Sequence, residues 1–308
     1  MTWRIVDVSS NSKLDLKLNH MVVRDGTTMR KVFIPDIAVL VIESTAVSMT
    51  AALLCELTRN GIKIIFCDEK RNPYGELCPY YGTADSVEKI RKQISWDSSL
   101  TDQIWKSIVI RKILNQAAVL EHNGHEEKAN QLRAYAKDVC PADSTNREGH
   151  AAKVYFNTLF DDGFSRRDDC AVNGALNYGY AVLLSAVNRE IAAFGYSTML
   201  GVFHDNGSNP FNLGSDLMEP FRPVIDEQVL SMNFVEFGPD QKHKLLDVLN
   251  KQVIIDGKHQ FLLNAIRVYV QSFFTAIECK NVTKIKFHEM VFNEGETHES
   301  DRLLRSAD

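Results

Sequence analysis

No apolar run in this 308-residue chain is long enough to cross a membrane; the longest lie within residues 37–42 and 62–67. No membrane role is expected. Zinc-finger spacing and C-x-x-C pairs are also missing. The cysteines, Cys55, Cys67, Cys78, Cys140, Cys170 and Cys279, are scattered. That pattern suits reduced thiols packed in apolar surroundings better than disulfides or zinc ligands. The opening Met1-Thr2-Trp3-Arg4-Ile5-Val6-Asp7 carries an early acid and no long apolar block, unlike a secretory signal, so a cytoplasmic location is expected. There is no G-x-x-x-x-G-K-[ST] phosphate loop and no G-x-S-x-G turn, so neither P-loop nor α/β-hydrolase chemistry is indicated. A basic excess is absent as well: Lys+Arg number 35 against 40 Asp+Glu, a formal net charge of −5. A DNA-handling protein with that balance must gather its cations on one face.

What is present is ordinary globular material. The chain is 44% hydrophobic and 24% charged, enough for one large core or two smaller ones. The first 82 residues read mostly as strand. Leu14, Leu16 and Leu18 alternate with Asp15, Lys17 and Asn19, and Asp25-Gly26 marks a hairpin between Met21-Val22-Val23-Arg24 and Lys31-Val32-Phe33-Ile34. Ala38–Ile42 and Ile62–Phe66 suit core strands. Between them Ser48 can cap a helix that Gly61 ends, and Pro73, Gly75, Pro79 and Gly82 punctuate the end of this region.

From Ser86 the period turns helical, through Ile104, Ile108, Val109, Leu114 and Ala118. Further helices are expected over 146–160, 171–195, 216–237, 239–250 and 259–279, with a short charged tail after them. The simplest architecture is α+β: a small β-rich N-terminal domain over 1–85 and a larger all-helical domain over 86–308.

One constellation carries chemistry. Asp216 and Glu219 are three residues apart, a spacing that puts both carboxylates on one helix face. His204 precedes them, and Glu148 opens another expected helix. One nitrogen and several carboxylate oxygens suit Mg²⁺ or Mn²⁺. Each residue also has an ordinary structural explanation. Thr145-Asn146-Arg147-Glu148 fits a capping box, and local sequence alone favours that role for Glu148. Asp216 and Glu219 could be acids at a helix start, and a lone histidine in a loop is commonly just partly buried. Arg147, Lys153, Arg166, Arg167 and Arg222 surround these acids, with Tyr155, Phe156 and Phe221 interleaved. They could position phosphates, although most such runs are solvated helix faces. Lys89, Arg91 and Lys92 form a second strip, and Lys106, Arg111 and Lys112 a third.

Arg147-Glu148-Gly149-His150-Ala151-Ala152, Tyr155-Phe156-Asn157-Thr158-Leu159-Phe160, Asn173-Gly174-Ala175-Leu176-Asn177-Tyr178-Gly179-Tyr180 and the stretch from Pro210 to Pro223 together resemble the universal integrase family of CRISPR adaptation. Segments 37–43 and 61–68 match the same family, the likeness spans nearly the whole chain, and it is closest to the type II branch. The resemblance implies a metal-dependent DNA endonuclease and integrase. It implies metal ligands at Glu148, His204 and Glu219, which are the catalytic positions, with Asp216 as a further or outer ligand. Glu219 stands where some branches carry aspartate. The N-terminal domain would serve dimerisation. Partners implied are double-stranded DNA (protospacer and CRISPR repeat), a second copy in a homodimer, and the small second adaptation protein in a heterohexamer. The accessory ring protein and the effector nuclease are open as further partners. Two alternatives stand beside this: a structure-specific DNA repair nuclease and a non-catalytic DNA-binding scaffold.

Overall fold

The computed structural model describes residues 4–26, 28–77, 85–160 and 162–292. The chain divides into two compact units, Met1–Tyr81 and Gly82–Glu294. Cys78, Pro79, Gly82 and the end of the charged tail lie outside the described residues.

The first unit contains β1 (Arg4–Val8), β2 (Lys13–Lys17), β3 (His20–Asp25), β4 (Thr28–Phe33), β5 (Ile37–Ile42), β6 (Ser48–Met49), α1 (Ala51–Arg59), β7 (Lys63–Cys67) and β8 (Pro73–Leu77). They build two four-stranded sheets, ordered β1-β5-β7-β8 and β4-β3-β2-β6. In the first sheet β1, β5 and β7 are parallel and β8 is antiparallel. All six residues of β5 are buried, which explains its continuous apolar run. The Asp25-Gly26 hairpin joins β3 to β4. The leucine alternation ends sooner than its pattern suggests. Leu18 and Asn19 both take positive φ in the β2–β3 turn, leaving Leu18 85% exposed. Helix α1 is capped by Thr50, whose hydroxyl accepts from the Leu53 N–H; Ser48 lies in β6 instead.

The second unit contains α2 (Ser86–Ile94), α3 (Ser98–His122), α4 (Glu126–Lys137), α5 (Arg147–Phe160), α6 (Ala171–Ala193), α7 (Asn212–Met218), α8 (Arg222–Met232), α9 (Pro239–Leu246), β9 (Gln252–Ile255), β10 (Lys258–Phe261), α10 (Leu262–Glu278) and β11 (His288–Glu289). It is mostly helical but not all-helical, because β10-β9-β11 form a three-stranded sheet. Asp256 and Gly257, both at positive φ, close the β9–β10 hairpin. That turn takes residues 259–261 from the expected last helix, and the charged tail supplies β11. The helix expected over 216–237 is also broken. Pro220 has no N–H to donate and would crowd the carbonyl a turn earlier, so a 3-10 turn, Glu219–Phe221, separates α7 from α8. Helix α8 then ends at Asn233 in the left-handed region. No helix of the described residues is long and apolar enough to cross a membrane.

Helix α3 organises this unit. It buries residues around its whole circumference, including Trp105, Ile108, Val109 and Ile113. Among these apolar residues it also buries Lys112, Asn115 and Gln116, whose i, i+3, i+4 spacing makes one polar face. Buried polar groups must find partners. Those of Lys112 and Asn115 come from α5 and from the α7–α8 break.

Cys67 is buried as expected, but three other cysteines depart from expectation. Cys55, Cys140, Cys170 and Cys279 are free thiols, but Cys55, Cys170 and Cys279 are exposed rather than packed in apolar surroundings.

Candidate active site

The start of α5 is capped from an unexpected position. Asp143 accepts the N–H groups of Arg147 at 2.9 Å and Glu148 at 3.0 Å, and Asn146 Oδ1 accepts that of Gly149 at 3.3 Å. The Thr145–Glu148 capping box is therefore not what closes this helix end. With Asp143 satisfying the orphan donors, the Glu148 carboxylate is free to cross to α3. There its Oε1 accepts from Lys112 Nζ at 2.5 Å.

Glu219 reaches the same ammonium from the break between α7 and α8. Its Oε2 lies 2.5 Å from Lys112 Nζ, and its Oε1 lies 2.9 Å from Arg222 Nε. Asn115 fixes the backbone of this turn by donating Nδ2 to the Pro220 carbonyl at 2.8 Å. His288 of β11 stacks on Phe221 and lies 3.2 Å from the same Asn115 amide. Burial alone would raise the Glu219 carboxyl, which is 3% exposed, but Arg222 and Lys112 outweigh it and hold the group below the usual glutamate range. Burial likewise opposes charge on Lys112, yet Glu219 and Glu148 prevail and raise its affinity for the proton.

His204 is held from behind by Asp216. Asp216 is fully buried, and its Oδ2 accepts the N–H groups of Val202 at 2.7 Å and Phe203 at 3.1 Å. Its Oδ1 accepts the His204 N–H at 3.1 Å and faces His204 Nδ1 at 2.6 Å. A carboxylate can only accept, so Nδ1 carries the proton of this bond and Nε2 is left as the ring's second nitrogen. The hydrogen bond that His204 donates to Asp216 raises the His204 pKa above the ordinary histidine value; burial opposes this, and the Asp216, Glu219 and Glu148 charges add to it. The loop can wrap the carboxylate this closely because residue 201 is glycine. A Cβ there would lie 2.4 Å from the His204 carbonyl oxygen and 2.7 Å from Asp216 Oδ2. Trp105 of α3 stacks on Phe203 at 4.3 Å and meets the His204 ring edge-on at 5.7 Å.

Beside the paired carboxylates lies a cavity of about 150 Å³, lined by Lys112, Gln116, Phe156, Arg166, Tyr180, Arg222 and Asp226. The Arg222 guanidinium sits 4.5 Å from the Tyr180 ring centroid and that of Arg166 5.4 Å from it. Arg166 is further held by the side-chain oxygens of Asn173 and Asn177. The Tyr180 hydroxyl donates to the buried Asp226 carboxylate. Burial pushes the Asp226 carboxyl up to about 6, against the hydrogen bond from Tyr180 and the charge of Arg222.

Of the arginines and lysines singled out from sequence, Arg166 and Arg222 thus flank this cavity. Arg147 instead lies over the Tyr135 ring, with its guanidinium 3.8 Å from Asp138. Lys153 and Arg167 are exposed on the surface. Lys112, grouped by sequence with a separate basic strip, proves to be the hub of the carboxylate pair. Asp143, Gly201 and Asp226 were not marked by any local pattern, and Tyr180 only as the end of the 173–180 motif. A signal for Lys112 was nonetheless available: a lysine, an asparagine and a glutamine share one face of an otherwise apolar helix.

The family model described as CRISPR associated protein Cas1 matches residues 6–235. The CRISPR-associated endonuclease Cas1 of Neisseria meningitidis serogroup C (strain 8013) is 36% identical over 296 residues, covering 94% of this chain and 97% of that protein. A casposase bound to integration product superposes with a TM-score of 0.73 at 19% identity, over 92% of this chain and 94% of that one. A Cas6-RT-Cas1–Cas2 complex gives a TM-score of 0.71 at 15% identity, over 92% of this chain and 36% of that one. At these identities the two structures speak to the fold.

Proposed function

Because this chain belongs to the CRISPR-associated Cas1 family, we propose that it joins short DNA fragments to a CRISPR repeat, as a DNA integrase with endonuclease activity. The observation that carries the reading is the convergence of Glu148 and Glu219, from separate elements, on one cation beside His204. The relative named an endonuclease and the casposase bound to integration product support the reaction class.

The residues fit a divalent ion. Two carboxylates already grip a positive charge, and hard oxygens with one imidazole suit Mg²⁺ or Mn²⁺. Glu148, Glu219 and the Nε2 of His204 would hold the ion. Asp216, already engaged by four N–H contacts, would orient His204 and fix its tautomer rather than join the ion itself. A bound ion of this kind polarises a phosphate and assists deprotonation of the attacking hydroxyl.

The chain's own residues do the rest. Arg222 and Arg166 offer planar cations beside Tyr180, suited to a phosphodiester next to an unstacked base. Lys153 and Arg167 add positive charge at the surface, and Arg147 at the start of α5. The incoming strand's 3′-hydroxyl attacks a phosphorus at the repeat boundary. A new P–O bond forms as the repeat strand's own 3′-oxygen leaves with a proton, so bonds broken and made balance without ATP. Water in place of that hydroxyl gives cleavage alone.

The proposal extends to partners. The Cas6-RT-Cas1–Cas2 complex contains a Cas1 part with this fold alongside Cas2, which supports the small second adaptation protein as partner. A heterohexamer with homodimers of this chain rests on the family resemblance alone. The β-rich N-terminal domain would serve dimerisation and the helical domain catalysis. A type II setting follows from the resemblance.

The test is an integration assay with the purified protein and its small partner. It uses fluorescent duplex DNA with free 3′-hydroxyls, a repeat-bearing supercoiled plasmid, and Mn²⁺ or EDTA. Label should become covalent with the plasmid only with metal, and not with Glu219→Ala. Metal-dependent cutting without joining would point to a repair nuclease, and binding with neither to a scaffold.

A further inference from the structure

We propose that Lys112 is a resident, displaceable cation: its ammonium holds Glu148 and Glu219 together without metal and withdraws into the adjoining cavity when a divalent ion binds. This rests on the metal-site reading above and adds a competitor to it. Three observations support the idea. The Lys112 Nζ lies 2.5 Å from an oxygen of each carboxylate, close enough to occupy the position from which both would reach an ion. Two cations within contact of the same carboxylate oxygens would repel strongly where water is scarce, so ammonium and metal compete for one place. Finally, Lys112 has somewhere to go. It lines a cavity of about 150 Å³ whose lining also includes the Asp226 carboxylate. Four methylene groups and a mobile ammonium suit such a swing, which a planar guanidinium would make less readily.

The arrangement explains why a buried lysine joins Asn115 and Gln116 on the one polar face of an otherwise apolar helix. Without it, two carboxylates would face one another inside the protein whenever metal is absent. With it, the site is closed to weak ligands and opens to an ion that binds tightly enough to displace the ammonium. DNA would assist, since its phosphates can receive the displaced charge. Lys112 therefore sets the threshold of metal occupancy rather than taking part in bond making.

The test measures Mn²⁺ binding by calorimetry and by the loss of the free-ion EPR signal, on the full chain as wild type, Lys112→Met and Lys112→Arg. Melting is followed with and without Mn²⁺. Removing the competitor should tighten Mn²⁺ binding in Lys112→Met by about tenfold or more, a difference of about 1.4 kcal/mol. Its metal-free melting temperature should fall, and Mn²⁺ should restore it. Lys112→Arg keeps the charge and fold and should bind Mn²⁺ no more tightly than wild type. Equal or weaker binding in Lys112→Met, with wild type still binding, would overturn the competition alone. Should Lys112→Met fail to fold, Lys112→Arg decides: tighter Mn²⁺ binding there would contradict the proposal. Absence of binding in folded wild type would sink both this proposal and the metal-site reading.

Discussion

His204 Nδ1 lies 2.6 Å from Asp216 Oδ1, while the other oxygen of that carboxylate binds the two backbone N–H groups just before the histidine. One carboxylate thus fixes the loop, the ring and the tautomer together. Asp216→Asn keeps the shape but replaces one accepting oxygen with an amide that cannot accept. Two charge-assisted hydrogen bonds are lost, so stability should fall by roughly 2–4 kcal/mol in urea unfolding. Mn²⁺ affinity should weaken about 10–100-fold as the ring loses its orientation. Unchanged affinity would remove Asp216 from that role.

Glu148 and Glu219 should be equivalent for chemistry and unequal for stability. Either alanine variant should abolish strand transfer. Glu148→Ala should cost the fold about 1 kcal/mol, because α5 is capped by Asp143 and Lys112 keeps Glu219. Glu219→Ala leaves Lys112 and Arg222 buried without the carboxylate they share, and should cost about 3–5 kcal/mol. Chemical unfolding of both variants checks the order.

Gly201→Ala tests the loop. Its methyl would need the space of the His204 carbonyl and of Asp216 Oδ2. The expected cost is roughly 1–3 kcal/mol, with integration falling alongside. A fully active, equally stable variant would show that the loop shifts freely.

The pH response of metal binding should follow His204. Its pKa is raised above the ordinary histidine value, chiefly by its hydrogen bond to Asp216. In metal-free protein this favours folding fully below the unfolded histidine pKa and is lost as pH rises through the folded value. A divalent ion needs the unprotonated Nε2, so its affinity changes in the opposite sense, weakening as pH falls. Weakening should begin above about pH 6.5, the ordinary histidine value. Mn²⁺ titrations from about pH 5.5 to 8.5 locate the midpoint.

Asp226 offers a stability test with the reverse expectation for a carboxylate. Its pKa, pushed up to about 6 by burial, exceeds the unfolded value near 4. Ionisation therefore opposes folding as pH rises between those values. Asp226→Asn keeps an oxygen for the Tyr180 hydroxyl and should be more stable than wild type at pH 8, by roughly 2–3 kcal/mol. Near pH 4 the advantage should vanish. Melting curves at both values decide it.

Much of this was legible in sequence because the signals are local. A run such as Ile37–Ile42 can scarcely be anything but a buried strand, and the family resemblance is what points to Glu148, His204 and Glu219. The same locality misleads elsewhere. Thr145 and Glu148 fit a capping box, yet Asp143, further back through a turn with positive φ at Asn146, takes the donors instead. Lys112 lies 36 residues from Glu148 and 107 from Glu219, and nothing local links them. The Asp256-Gly257 hairpin was readable in principle, but the apolar helix after it masked two short strands.

The stack of Phe203 on Trp105 also gives the molecule a built-in optical reporter. The chain has only three tryptophans, and Trp105 alone among the described residues is fully buried with its ring against the loop that carries His204. Movement of that loop changes what the indole touches, so the emission of Trp105 can follow loop opening in real time, with no label attached and no turnover required.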